Sequence, residues 1–334
     1  MLWKRFAELL VEGIDREVPN ARDASVQSLV ERVGNGREGD GEAGRAAHSL
    51  RAELARRVGE DKARSLFEHA SLALEREEDK LIREELCKVV PVGVPGFERL
   101  VPGLPACSSI LLLGPPGSGK STLCKQYLLE GLRTGQSCMM VSTSEGKSLF
   151  ERELEQLSGL DAHELLSSGR LALVDVSSWT SGGHAIAYHD GVYRCPSPSL
   201  DDVSLAIHFA MEAMPRKRLK RLAFDSLSSL FLHNPPEHVL RFAELLRGRM
   251  GDDCYTSLLA VEEDMHPAEV MRALNSVTDG TIQLGGSESG HYASVPRLRG
   301  TASPTHRLRL EYSAKGLRVG DVWQELAAGF GSNR

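Results

Sequence analysis

The chain has 334 residues, of which 41% are hydrophobic and 26% charged, with a formal net charge of −6. That length leaves room for two domains, and the net acidity gives no global reason to expect nucleic acid as a partner. No stretch approaches the roughly 18 uninterrupted apolar residues of a membrane-spanning helix, and the opening Met-Leu-Trp-Lys-Arg-Phe-Ala-Glu-Leu-Leu, followed by Glu12, lacks the long apolar core of a secretory leader.

Residues 1–88 read as helical throughout. Leu, Ala, Arg and Glu dominate, and helical patterns run over Trp3–Glu17, Ala24–Val33, Arg45–Val58 and Asp61–Lys88. In the last of these, Leu66, Ala70, Leu74, Leu81 and Leu86 fall near one face. Five glycines and four charges occupy residues 34–44, a composition that packs no core and reads as a flexible linker or long loop. Residues 1–88 carry 16 Lys and Arg against 19 Asp and Glu. This mixed charge suits a packing or partner-binding module better than a nucleic-acid arm.

From Val90 onward the pattern alternates strand and helix. Ser109 to Leu113 is a short apolar run of the kind a buried parallel strand needs. Next comes Gly114-Pro115-Pro116-Gly117-Ser118-Gly119-Lys120-Ser121-Thr122, a complete G-x-x-x-x-G-K-[ST] phosphate-binding loop. Its glycines let backbone N–H groups turn inward toward phosphate oxygens, and the helix that follows adds the positive end of its dipole. That helix spans Lys120 to Leu132, with Gly135 as its stop signal. Lys120 is expected to reach the β- and γ-phosphates of ATP, and the Ser121 hydroxyl to hold Mg²⁺.

Strands at Ser137–Ser142, Leu171–Val176, Arg221–Phe224 and Tyr255–Val261 follow. They alternate with helices at Lys147–Gln156, Asp201–Met214 (with Ser199 as its cap), Pro236–Arg247 and Pro267–Leu274. This alternation predicts a parallel sheet covered on both faces. Gly280–Leu284, His291–Leu298, Arg307–Tyr312 and Leu317–Val319 then read as short strands that extend the sheet in antiparallel fashion. The strand Leu222-Ala223-Phe224 ends in Asp225, about one hundred residues after the phosphate loop, which makes Asp225 the leading second ligand for Mg²⁺.

Several ordered segments now resemble a family. They are Gly93 to Leu100, Gly103-Leu104-Pro105, the phosphate loop, Val141-Ser142-Thr143-Ser144-Glu145, Asp175 to Trp179, Phe224 to Ser228, Arg297-Leu298-Arg299-Gly300-Thr301 and Gly316 to Val319. Together they look like a KaiC-type ATPase of the RecA superfamily, over roughly residues 90–320. The resemblance implies an α/β RecA-like fold, with a mostly parallel central sheet and antiparallel C-terminal strands, to which residues 1–88 add an all-α module. It also implies ATP sites shared between neighbouring subunits of a ring or filament. Two adjacent acids often stand where this chain has Ser144-Glu145, so the resemblance leaves Glu145 to orient the attacking water. Arg297 and Arg299 stand where the family commonly has Lys-x-Arg, whose cations reach the neighbour's ATP. Arginine keeps the charge but changes the geometry. Glu262 and Glu263 close the fifth strand, where the superfamily places a polar sensor.

Other features remain. The stretch 177–198, with His184, His189 and Cys195, fits no zinc spacing and reads as a long polar loop. The run Arg216-Lys217-Arg218-Leu219-Lys220-Arg221 reads as a solvated loop, with a DNA or lipid patch as the other reading. Six scattered cysteines without a C-x-x-C pair suggest a reducing cytoplasm and buried, inert thiols. The sequence therefore predicts a helical module over residues 1–88 and an ATP-binding domain over 89–334. The expected protein is a cytoplasmic, homo-oligomeric regulatory or assembly ATPase, with an unidentified protein partner for the helical module. A non-hydrolysing ATP-dependent switch and a DNA recombination accessory ATPase are the alternatives.

Overall fold

A computed structural model of the chain describes residues 2–35, 42–71, 89–181, 185–215, 219–287, 290–300 and 306–322. The chain divides into two compact units, Met1–Glu84 and Glu85–Arg334. In the first, α1 spans Leu2–Glu17, α2 Ala24–Gly34 and α3 Glu42–Val58, and residues 60–71 form α4. Apolar side chains one turn apart meet in a core of its own: Leu10 and Ile14, Val26, Val30 and Val33, Leu50 and Leu54, and Leu66 are buried together. Asp23 caps α2 by accepting from the N–H groups of Ser25 and Val26, and Arg57 pairs with its other carboxylate oxygen at 2.6 Å. The predicted linker 34–44 is shorter at both ends, since α2 runs through Gly34 and α3 starts at Glu42; residues 36–41 lie outside the described residues. So do residues 72–88, which hold the second half of the predicted fourth helix.

The second unit begins with a small antiparallel pair, β1 (Val89–Val90) and β2 (Leu104–Pro105). The main elements follow in order: β3 (Ser109–Gly114), α5 (Lys120–Arg133), β4 (Ser137–Ser142), α6 (Lys147–Ser158), α7 (Ala162–Ser167) and β5 (Leu171–Asp175). Then come β6 (Ala187–His189), β7 (Val192–Arg194), α8 (Leu200–Ala213), β8 (Lys220–Asp225), α9 (Leu227–Leu230), α10 (Pro236–Asp252), β9 (Tyr255–Glu262) and α11 (Ala268–Val277). Four strands close the unit: β10 (Gly280–Ser287), β11 (Gly290–Leu298), β12 (Leu308–Ser313) and β13 (Gly316–Val322). One eleven-stranded sheet runs β13-β12-β11-β10-β3-β9-β8-β4-β5-β7-β6. The strands from β10 to β7 are mutually parallel, whereas β11 to β13 and β6 are antiparallel to their neighbours.

Parallel strands covered on both faces must be apolar at every position. Accordingly β3 sends Ile110 and Leu112 into one core with Leu123 and Tyr127 of α5, and Leu111 and Leu113 into the other with Phe242 of α10. The side chain of Ser199 accepts the Asp202 N–H at 3.2 Å and caps α8, as its position before the helix predicts.

Two sequence expectations are corrected here. The stretch 177–198 carries the hairpin β6–β7, and β7 pairs parallel with β5, so this segment extends the sheet instead of looping over it. Cys195 within it is buried, its thiol is pushed up to about 12 by burial, and His184 lies outside the described residues. No cluster able to hold a metal through His, Cys, Asp or Glu occurs among the described residues.

The basic run 216–221 is likewise no patch of adjacent surface cations at its end. Arg221 lies within β8 and is fully buried. Its Nε donates to Gln136 Oε1 at 2.8 Å, its Nη1 donates to the carbonyls of Pro91 and Tyr127 at 2.7 and 2.8 Å, and its guanidinium stacks on the Tyr127 ring. Residues 216–218 lie outside the described residues. Arg221→Met strands several buried acceptors at once, and a loss of about 2–4 kcal/mol is expected. A clearly lower urea midpoint checks this, and an unchanged midpoint would place Arg221 in solvent.

Candidate active site

Open α/β sheets bind ligands beyond the carboxyl ends of their strands. At that edge the register places Gly114 opposite Glu262, Ser142 opposite both Asp225 and Asp175, and Asp175 opposite Arg194. The phosphate loop leaves β3 here. Gly117 and Gly119 take left-handed conformations with φ of +75° and +88°, which a side chain resists. A Cβ at Gly119 would also press on the Tyr312 hydroxyl at 3.0 Å. Pro116 and Gly117 face solvent, Pro115, Gly119, Ser121 and Thr122 are half-buried, and Ser118 and Lys120 are buried. The side chain of Gln126 fastens α5 to β13, donating to the Leu317 carbonyl and accepting the Leu317 N–H at 2.8 Å.

Lys120 Nζ donates to the carbonyls of Gly114 and Pro115 and to Glu262 Oε2, each at 2.8 Å. An ammonium aimed at the loop's hollow therefore holds a carboxylate where an anionic ligand would be received. The backbone N–H of Glu262 donates to Ser228 Oγ at 2.8 Å, and the same hydroxyl meets His266 Nε2 at 2.8 Å. Burial lowers the pKa of His266. His266, an isolated histidine, gave no signal in the sequence, and Ser228, though within the segment Phe224 to Ser228 that carries the resemblance, was given no role of its own there. Glu263 turns elsewhere and accepts from Gln283 Nε2 at 2.9 Å.

Asp225 is 3% exposed at the end of β8. Burial raises its pKa, while a hydrogen bond from Ser121 and the charges of Lys125 and Lys120 oppose that rise. Its Oδ2 is buried with no hydrogen-bond partner among the described residues. An orphaned carboxylate oxygen beside a hydroxyl, at the mouth of a phosphate loop, is an oxygen donor set that fits Mg²⁺.

Glu145 lies just beyond the end of β4 and is 7% exposed. Ser142 fixes its backbone: Oγ accepts the Glu145 N–H at 3.1 Å and donates to the Glu145 carbonyl at 2.8 Å. Glu145 Oε1 forms an ion pair with Lys125 Nζ at 2.6 Å. Burial raises the Glu145 pKa against the pull of that cation. Asp175, also fully buried, accepts from Ser177 Oγ, Ser178 Oγ and the Ser178 N–H, and so shapes the turn after β5.

Arg297 and Arg299 do not join this constellation. Leu298 pairs with Gly280, which pairs with Ile110 at the opposite end of β3. Four residues of strand, about 13 Å, separate that level from Gly114. Arg297 Nη2 donates to the carbonyls of Asn275 and Thr278 at 2.7 and 3.0 Å, and Arg299 lies 3.4 Å from Asp279, which Arg247 also holds at 2.9 Å. Burial works to raise the Asp279 carboxyl, but Arg247, the Ser109 N–H and Arg299 outweigh it and keep its pKa low. No residue of the loop lies within reach of either arginine in the same subunit.

The parallel sheet, the loop at its carboxyl edge and the antiparallel extension define a RecA-like P-loop protein. A family model described as "ATPase: KaiC" matches residues 90–322, so the chain belongs to the KaiC family of ATPases. A UPF0273 protein of Aeropyrum pernix is 30% identical over 239 residues, 69% of this chain and 92% of that protein. A UPF0273 protein of Methanopyrus kandleri is 29% identical over 237 residues, covering 69% and 91% of the two chains. A solved structure of a KaiC-like protein from Pyrococcus horikoshii shares the fold, with a TM-score of 0.56 at 23% identity over 70% of this chain and 98% of that one. The family match starts at residue 90, beyond the first helical unit. No helix among the described residues is long and apolar enough to cross a membrane.

Proposed function

We propose that the chain is a cytoplasmic, Mg²⁺-dependent ATPase that assembles head to tail with copies of itself and serves a regulatory or assembly role. Residues 89–334 form the ATP-binding domain, and residues 1–88 a helical module for a protein partner. The observation that carries this reading is the convergence of Lys120, Ser121, Asp225 and Glu145 on one sheet edge. Backbone N–H groups from Gly117 to Ser121 hold the phosphates, Pro115 and Pro116 having none to give. Lys120 exchanges Glu262 for the β- and γ-oxygens, and Ser121 and Asp225 hold the metal ion. Held by Ser121 and Asp225, Mg²⁺ would supply positive charge to offset the negative charge that develops on the phosphate. Glu145 orients water for in-line attack on the γ-phosphate, and Arg297 and Arg299 of a neighbouring subunit stabilise the charge of the transition state.

Turnover tests this assignment. Glu145→Gln is expected to keep ATP bound and to slow hydrolysis by about a hundredfold or more. Asp225→Asn is expected to weaken Mg²⁺-dependent binding as well. Full turnover by Glu145→Gln would transfer the role to another acid, Glu262 being the nearest to Lys120. A wild type without turnover would favour the switch reading, in which ATP drives assembly only. Ser144 at the usual first acidic position, and the engagement of Glu145 by Lys125, are the features on that side. The recombination reading loses support with Arg221 buried in β8, because a DNA surface needs adjacent exposed cations.

A further inference from the structure

Lys125 is 1% exposed, among the largest fully buried side chains of the protein. It sits on α5 amid Leu123, Cys124, Tyr127 and Leu128, all of which pack into the core. A lone ammonium does not survive in such surroundings without partners. Its partners are two carboxylates from other elements. Nζ lies 2.6 Å from Glu145 Oε1, beyond β4, and donates to Glu153 Oε2 of α6 at 2.6 Å. The two glutamates differ: Glu145 is 7% exposed, whereas Glu153 is 44% exposed and can be solvated without the lysine. Ser121 and Lys125 are four residues apart on one helix, so they share a face, with the ammonium stem about one 5.4 Å turn behind the hydroxyl that meets Asp225. Glu145 thus takes its only ion pair among the described residues from the helix that carries the phosphate loop. Ser142 holds its backbone, and Lys125 holds one oxygen of its carboxylate, Oε1. That hold on Oε1 is by charge, an ion pair without a hydrogen bond, and among the described residues no protein hydrogen bond reaches Oε2 either.

We propose that Lys125 is the positioning residue for Glu145: anchored on the phosphate-loop helix, its ammonium holds Oε1 and thereby presents Oε2 to the water that attacks the γ-phosphate. This rests on the reading of Glu145 as the group that orients water. With Ser144 unable to help, one carboxylate performs that task, and its orientation depends on a cation that moves with the loop it serves. The charged groups facing Glu145 are Lys125, Glu153 and Asp225. Lys125 is the one cation among them, and it opposes both the burial and the two acids.

The test compares Lys125→Met, Lys125→Arg, Glu145→Gln and the Lys125→Met/Glu145→Gln double variant in the full chain. Lys125→Met is expected to bind ATP within about threefold of wild type and to lose at least about tenfold in kcat. The acid limb of its pH–rate profile should move to higher pH, because a buried carboxyl without its cation ionises later. Lys125→Arg should restore part of kcat. The double variant should turn over no more slowly than Glu145→Gln alone, since both changes act through one group. With both charges replaced by neutral side chains, no unpaired buried charge is left, so the double variant is expected to stay folded even where Lys125→Met alone unfolds. A second readout needs no turnover: at neutral pH the infrared spectrum of Lys125→Met should gain a protonated-carboxyl band that the double variant lacks. Wild-type kcat and pH profile in folded Lys125→Met, or an infrared spectrum without that band, overturns the proposal and leaves the Glu145 assignment standing. Full turnover by Glu145→Gln instead overturns the Glu145 assignment itself, and the infrared arm then decides whether Lys125 holds that carboxylate charged.

Discussion

Lys120→Ala is expected to lower ATP affinity by about a hundredfold or more while the protein stays folded. The ammonium supplies at least two charge-assisted contacts to phosphate, each worth about 1.5–3 kcal/mol, and every 1.4 kcal/mol is about tenfold in affinity. A second effect adds to the first. Lys120 also neutralises Glu262 at 2.8 Å, so alanine leaves an unpaired carboxylate beside the hollow that receives the phosphates. The same substitution made together with Glu262→Gln should therefore lose less affinity than Lys120→Ala alone. The fold should persist because the other partners of Lys120 are groups of the loop itself, the carbonyls of Gly114 and Pro115 and the Ser118 hydroxyl, and Glu262 is 19% exposed and can be hydrated. Calorimetric titration with ATP and Mg²⁺, on variants whose thermal melts match wild type, reads both effects. Wild-type affinity in a folded Lys120→Ala protein would refute the phosphate-loop assignment.

Arg299→Ala should spare nucleotide binding by separate subunits and yet lower turnover by about 10³-fold, the scale on which an arginine supplied in trans acts. Arg299 cannot reach the loop of its own subunit, and it is 75% exposed while it contacts Asp279. A neighbour's γ-phosphate would compete for it with that carboxylate. ATP should accordingly favour a larger assembly than the nucleotide-free protein, because a ligand shifts an equilibrium by its differential affinity for the two states. Mixing Arg299→Ala with Lys120→Ala should recover part of the activity. In mixed assemblies the first mutant supplies an intact pocket and the second an intact arginine. Light scattering with and without ATP, with phosphate release followed in parallel, reads all of this. Co-assembled mixtures without recovery, or a protein that remains monomeric at high concentration with ATP, would end the shared-site reading.

The phosphate loop, its strand and its helix were legible because their signals are local. Four consecutive apolar residues, Ile110 to Leu113, a glycine-rich turn and a Gly135 stop leave few alternatives, and β4 begins and ends where the sequence places it, at Ser137 and Ser142. The short elements were not. The strand Ala187–His189 exposes every residue and so shows no alternation, and α7 is a six-residue helix that depends on the Asp161 cap. Arg221 was read as solvated, and Lys125 drew no reading, for a shared reason. A cation in a charged run, or on a helix, reads as solvated, and the groups that bury it come from far along the chain: Pro91 and Gln136 for Arg221, Glu145 and Glu153 for Lys125. For the same reason Asp225 could be named from its strand-end position, whereas the occupation of Lys120 by Glu262, 142 residues away, could not.

Placing the phosphate loop at one rim of the sheet and Arg299 at the other gives each subunit a donor end and an acceptor end. In the shared-site reading, such an interface is heterologous and cannot be completed by a symmetric pair. An open row of subunits then always carries one pocket fewer completed than it has members, and a lone subunit completes none. Specific activity becomes a function of protein concentration, climbing from near zero toward a plateau as rows lengthen, and dilution lowers kcat even at saturating ATP. Only closure into a ring removes the idle terminal pocket, so a rate per subunit that no longer changes on dilution would mark the closed form.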